Sequence, residues 1–183
     1  MYEQGYLYHH GIKGQKWGVR RYQNADGSLT KAGKARAAVK DAKKEERSAR
    51  KTMTRTGYTS FGVKGIKRYE DAEKNYTKAQ IKTAKARVEL AKAKAKNESD
   101  AEKREFKAYT KEMRKSGLPG SALDTQNKGR SKALMDSISK TKGKEYAEKV
   151  LKKTEKQLVT EIAVSAAVVV GSNFVAEYLQ TRK

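Results

Sequence analysis

The sequence predicts a mainly α protein: an extended helical chain with a small hairpin-containing head at its N-terminus and an apolar C-terminal helix. Three observations carry this. From Tyr69 to Lys96 the chain is rich in Ala, Lys and Glu and contains no Gly or Pro, a composition that favours helix. From Lys144, the residues Ala147, Val150, Leu151, Leu158 and Ile162 recur on one helical stripe, with Lys149, Lys152, Lys153 and Lys156 outside it. Large aliphatic residues and Phe are scarce elsewhere: of 28 Leu, Ile, Val and Phe, 10 fall between Leu158 and Leu179. The remainder is too poor in such residues, for its charge, to suggest a self-contained globular enzyme.

The elements follow in order. Residues 1–30 form the head. Lys16–Tyr22 alternates as a strand does, Asn24-Ala25-Asp26-Gly27 is turn chemistry, and Ser28-Leu29 is placed to return as a second short strand. Thr30 stands where an N-cap opens a helix at Lys31. Residues 31–97 form a basic helical region. Its first helix, to about Arg50, carries a thin stripe of Ala35, Ala38, Val39, Ala42 and Ala49; Gly57 to Gly65 breaks it, and the long helix from Tyr69 follows. Residues 98–142 read as a helical connector. Asn97 and Ser99 mark a stop or kink, and Phe106, Tyr109 and Met113 share a helical face until Gly117-Leu118-Pro119-Gly120. Leu134 and Ile138 share a face of a short helix over Ser131–Ser139. Residues 143–183 form the C-terminal helix, amphipathic at first and apolar all round past Glu161.

Charge sets the functional expectation. The 43 Lys and Arg against 21 Asp and Glu leave +22, of which residues 31–97 contribute +14. Lys34, Arg36, Lys40, Lys43, Arg47, Arg50, Lys82, Lys85, Arg87, Lys92, Lys94 and Lys96 are the candidate contacts to nucleic acid. Cations at this density gain affinity by releasing counterions from phosphates, with no base readout required. Tyr58, Phe61, Tyr69 and Tyr76 interleave them, suited to stacking on bases or packing on neighbours. The competing reading is a solvated basic surface facing some other polyanion.

Several chemistries are set aside. The chain has no cysteine, which excludes disulfides, thiolate metal sites and cysteine nucleophiles. His9 and His10 are adjacent and lack a nearby carboxylate cluster, and Gly11, Gly14 and Gly18 do not sit at a strand-to-helix junction. No Ser-His-acid set or phosphate loop is assembled. Catalytic residues, cofactor and metal are therefore expected to be absent. The first 30 residues show no apolar run of the length a secretory leader has.

Leu158–Leu179 spans 22 residues, long enough for a hydrocarbon core of about 30 Å at 1.5 Å per residue. Glu161, Ser165, Ser172, Asn173 and Glu177 interrupt it, so burial in an oligomer competes with membrane contact. Ile162, Val164, Val168, Val169 and Phe174 are the candidates for either role. In the head, Trp17, Arg20, Arg21 and Tyr22 are the candidates for docking on a partner.

The stretch His9–Arg36, HHGIKGQKWGVRRYQNADGSLTKAGKAR, resembles a motif of minor structural proteins encoded by phages and prophages of Gram-positive bacteria. The match runs through His10, Gly11, Lys13, Gly14, Lys16, Trp17, Gly18, Val19, Arg20 and Arg21, then Asp26, Gly27, Leu29, Thr30 and Gly33. It covers 28 of 183 residues. The resemblance implies a virion component, head-associated or internal, made in the host cytoplasm and bound to other virion proteins; it supplies no catalytic residue. With the basic region, it frames the expectation of a virion protein that contacts packaged DNA and takes part in genome delivery. The alternatives are a non-specific DNA-binding regulator in the infected cytoplasm and a small membrane-associated protein that modifies the host.

Overall fold

A computed structural model describes residues 22–24, 26–59 and 61–180, with side chains for all of these except 58 and 166–180. The described chain is mainly helical. Among the described residues six helices follow one another: α1 (Lys31–Tyr58), α2 (Gly62–Ala93), α3 (Glu98–Ser116), α4 (Ala122–Gln126), α5 (Arg130–Lys142) and α6 (Lys144–Gln180).

The N-terminal turn sets the start of α1. Gly27 N–H donates to Asn24 O, and Asn24 N–H donates to Ser28 O. Of the expected hairpin, the described residues hold a single antiparallel bridge between Gln23 and Leu29. The Lys16–Arg21 half of the expected first strand lies outside the described residues. Thr30 caps α1 as its sequence position suggests, its Oγ1 accepting from Gly33 N at 3.1 Å. The same hydroxyl donates to Tyr22 O, which also accepts from Thr30 N. Gly33 leaves room for that carbonyl, since a Cβ here would collide with it.

Helices α1 and α2 form an antiparallel hairpin with a strict seam. From Ala35 onward the less exposed positions of α1 are Ala35, Val39, Ala42, Glu46, Ala49, Met53 and Thr56. On α2 the matching series is Gly65, Tyr69, Ala72, Tyr76, Ala79, Thr83, Ala86 and Leu90, beside further covered positions such as Gln80, Ala84 and Val88. Steps of four and three alternate along both, the 3.5-residue period of a coiled-coil seam. Small residues dominate it, which lets the two backbones approach. This corrects the apolar stripe read from sequence: Ala38 is exposed, whereas Glu46, Met53 and Thr56 are in the seam. It also corrects the limits. The seam carries α1 past Arg50 to Tyr58, and α2 begins at Gly62, seven residues before Tyr69.

Helix α2 has a second buried face. Ala84 and Val88 meet Tyr109 and Met113 of α3, Leu134 and Ile138 of α5, and Ala147 and Val150 of α6. Tyr146 fills the space between α3 and α6, edge-on to Phe106 at 5.8 Å and to Tyr109 at 6.1 Å between ring centroids. Such edge contacts add about 0.5–1.5 kcal/mol each beyond burial. The segment read as a connector thus supplies half of the main core. Its turns are polar-capped: Asn97 Oδ1 accepts from Asp100 N at 2.8 Å to open α3. Asp124 accepts from Gly120 N at 3.1 Å, from Ser131 N at 3.0 Å and from the Ser131 hydroxyl, fastening α4 to α5.

Helix α6 docks through Tyr146, Ala147, Val150, Leu151, Thr154 and Leu158. Past that point Val159, Ile162 and Val164 are exposed, so Ile162 is not part of the docked stripe. Arg114 of α3 reaches Glu161 there. Among the described residues no helix is long and apolar enough to cross a membrane.

Candidate nucleic-acid interface

The seam divides the charges of α1 into two flanks. One position after the seam residues stand Arg36, Lys40, Lys43, Arg47 and Arg50, all exposed. One position before them stand Lys34, Ala38, Asp41, Glu45, Ser48, Thr52 and Arg55, a mixed set. The first flank is a ridge of five cations without a carboxylate. It runs about 21 Å at 1.5 Å per residue, with a cation about every 5 Å. Duplex DNA carries one phosphate per 3.4 Å of each strand, so the ridge is dense enough to run beside one strand.

The two flanks face different surroundings. Lys82 of α2 bonds Glu45 at 2.5 Å, which places the mixed flank of α1 beside the row Lys78, Lys82, Lys85, Glu89 and Lys92 of α2. The ridge therefore lies on the opposite side of the hairpin. There Arg50 shares a polar cleft with Glu46, Glu73, Tyr76, Gln80, Lys128 of the α4–α5 loop and Arg130 at the start of α5. Lys128 is held by Glu73 at 3.1 Å and by the Tyr69 hydroxyl at 2.6 Å. At the other end, Arg36 lies over the Tyr22 ring, 5.0 Å from its centroid. Among the described residues, none of the five ridge cations is in an ion pair.

The twelve basic candidates from sequence do not make one site. Arg36, Lys40, Lys43, Arg47 and Arg50 form the ridge. Lys34, Lys85 and Lys92 are exposed on the other side of the hairpin, with Lys82 paired there. Lys94 and Lys96 lie past the end of α2, on the turn into α3; the backbone N–H of Lys96 donates to Asp100. Arg87 is engaged inside the protein: it bonds the buried Glu112 at 2.9 Å. That carboxylate also faces Lys115 at 3.0 Å and Arg130 at 3.7 Å. A buried carboxylate needs such partners, so Arg87 belongs to the α2–α3 interface.

The docking candidates divide similarly. Tyr22 packs on the start of α1 through its carbonyl and ring, while Trp17, Arg20 and Arg21 lie outside the described residues. Of the tail candidates, Ile162 and Val164 are exposed on α6; the side chains of Val168, Val169 and Phe174 lie outside those described. Lys44 and Lys51, exposed on the outer side of α1, and Arg55, exposed on its mixed flank, were not singled out in the sequence. The seven-residue period, once seen, assigns each to a side. Among the described residues, no group of three or more His, Asp or Glu side chains is placed to hold a metal ion. The described clefts are open; the one beside Lys31, Glu89 and Lys92 is lined largely by Lys, Glu and Ala, while those beside Arg36 and Arg50 mix cations with apolar and amide side chains.

Comparison of the chain with protein-family models, with curated proteins and with solved structures yields no match.

Proposed function

We propose that this protein is a phage virion component that contacts packaged DNA through the α1 ridge, without reading its sequence. The observation that carries the DNA contact is the ridge itself: Arg36, Lys40, Lys43, Arg47 and Arg50 on one flank, with no carboxylate among them. A protein needing charge only for solubility would intersperse both signs, as the opposite flank does. The virion setting rests on the motif around Trp17, which resembles those of phage structural proteins. In this reading the head docks on another virion protein and the α6 extension, with Ile162 and Val164 exposed, joins copies of the chain or meets another surface. No catalytic role is part of it.

The test is titration of the full chain against two unrelated duplexes across a salt series. Equal affinities within a few-fold are expected, with log affinity falling roughly 0.9 per log unit of salt for each phosphate contacted. Replacing all five ridge cations by Gln should flatten that slope by up to about 4.5. Replacing Lys34, Lys85 and Lys92 should leave most of it. A strong preference for one duplex, or an unchanged slope in the ridge variant, overturns the DNA contact. Mass spectrometry of purified particles separates a virion component from a regulator that stays in the infected cytoplasm.

A further inference from the structure

The closed end of the α1–α2 hairpin carries an apolar tip that the core does not use. Phe61 is 87% exposed, Val63 84% and Ile66 55%. Val63 and Ile66 are three residues apart, hence neighbours on the first turns of α2, and Phe61 is the N-cap residue beside them. Exposed large apolar side chains are ordinary when single; three together at a projecting end are not.

Two further observations say what covers the tip. First, its surroundings are of one sign. From Arg47 to Tyr69 the chain holds seven cations (Arg47, Arg50, Lys51, Arg55, Lys64, Lys67 and Arg68) and no Asp or Glu. Secondly, the tip stands clear of the bundle. Among the described residues, the outermost side-chain tie from the α3–α6 segment to the hairpin is Lys128, bonded to Tyr69 and Glu73. Phe61 lies eight residues beyond Tyr69, about 12 Å at the helical rise. That reach matches the roughly 5–10 Å to which apolar residues enter the headgroup and acyl boundary of a bilayer.

We propose that this tip inserts into an anionic phospholipid surface. Phe61, Val63 and Ile66 enter the interface, and Arg55, Lys64, Lys67 and Arg68 form a collar that meets lipid phosphates. A duplex is a poorer occupant for the same tip. The end of a two-helix hairpin is about 20 Å across, whereas the major groove is about 12 Å wide and admits one helix, and the minor groove is about 6 Å. The proposal is independent of the ridge, which lies along α1 and can bind DNA whether or not the tip meets lipid.

The experiment is co-sedimentation of the full chain with vesicles of phosphatidylcholine alone and of phosphatidylcholine with phosphatidylglycerol. Three variants are compared: Phe61→Ser/Val63→Ser/Ile66→Ser, Lys64→Gln/Lys67→Gln/Arg68→Gln, and Val168→Asp in the tail. Because the tip side chains are exposed, the first variant should keep wild-type helicity. Wild type should partition onto the anionic vesicles and weakly onto the neutral ones. The tip variant should lose at least tenfold in partitioning while duplex affinity stays within twofold. The collar variant should lose about fivefold for each cation removed, and Val168→Asp should bind as wild type does. Partitioning unchanged in the tip variant, or equal on neutral and anionic vesicles, overturns the proposal. So does a loss confined to Val168→Asp, which would place membrane contact in the tail. A parallel loss of duplex affinity in the tip variant also overturns it, and would make the tip a DNA wedge.

Discussion

Arg87 of α2 donates to Glu112 of α3 at 2.9 Å, and the carboxylate it meets is almost fully buried. The pair ties the hairpin to the bundle. Removing the cation leaves a buried charge with two weaker partners, Lys115 and Arg130. Arg87→Ala should therefore lower stability by about 2–3 kcal/mol, since Lys115 and Arg130 offset part of the usual 3–5 kcal/mol for breaking a buried pair. Duplex affinity should be unchanged at temperatures where the variant is folded. Chemical denaturation and a salt titration check the two halves.

Asp124 organises the turn between α3 and α5. Burial pushes its carboxyl up. Hydrogen bonds from the Ser131 hydroxyl and from the backbone N–H groups of Gly120, Ser131 and Lys132 outweigh this and hold it below the usual carboxylate range. A depressed pKa gives stability that is present above the unfolded value near 4 and is lost as pH falls through the folded one. The thermal stability of the wild type should thus fall below about pH 4. Asp124→Asn should destabilise by about 1–3 kcal/mol at pH 7 and show a shallower acid loss.

The Tyr146 hydroxyl is buried and has no hydrogen-bond partner among the described residues. Burial first, then the charges of Glu105, Tyr109 and Glu102, push its pKa up to about 12. A folded pKa above the unfolded value near 10 means that the folded protein keeps its proton where the unfolded chain has lost it. Stability then falls as pH rises from about 10 to 12. The Lys142 ammonium, raised chiefly by its hydrogen bond to Glu105, is lost in the same direction. Tyr146→Phe should be neutral or stabilising by about 1 kcal/mol at pH 7, and should unfold less steeply in alkali.

Gly33→Ala tests the seat of the head. The new methyl would meet the Tyr22 carbonyl oxygen and, at 3.2 Å, the Tyr22 Cβ. The Tyr22–Gln23 segment must shift, and with it the Thr30 N–H···Tyr22 O bond. A loss of about 1–3 kcal/mol is expected, despite the higher helix propensity of Ala. Chemical-shift changes should be confined to residues around Tyr22, Leu29 and Arg36.

How far the sequence revealed all this can be read from single residues. Thr30 was legible as a helix boundary because cap chemistry is local; Asn97 was legible only as a stop or kink, and the structure makes it the N-cap of α3. Leu134 and Ile138 were legible because large apolar residues at helical spacing stand out in a polar chain. The α1 seam was only half legible. It passes through Glu46 and Thr56, which an apolar count skips, while exposed Ala38 looks like a member. The limits of α1 and α2 were missed because Gly57 and Gly65 read as breakers; both lie inside helices, Gly57 against the Tyr69 ring and Gly65 buried. Arg87 could not be told from its basic neighbours, since its role depends on a carboxylate 25 residues away. The ridge was present in the basic list but unsorted, and only the seam distinguishes Lys40 from Lys34.

The small residues of the hairpin seam have a thermodynamic consequence. Helix α1 packs chiefly against α2, and through Ala35, Ala42 and Ala49 it hides little hydrocarbon from water. The bundle of α2, α3, α5 and α6 is closed by Met113, Leu134, Ile138 and Val150, all fully buried. The two layers should therefore exchange amide hydrogens at different rates, α1 opening well below the global unfolding free energy. The cations of the ridge sit on the more easily released layer. A bound polyanion that prefers the helical form would slow that exchange by mass action, so α1 would become the region whose protection reports occupancy.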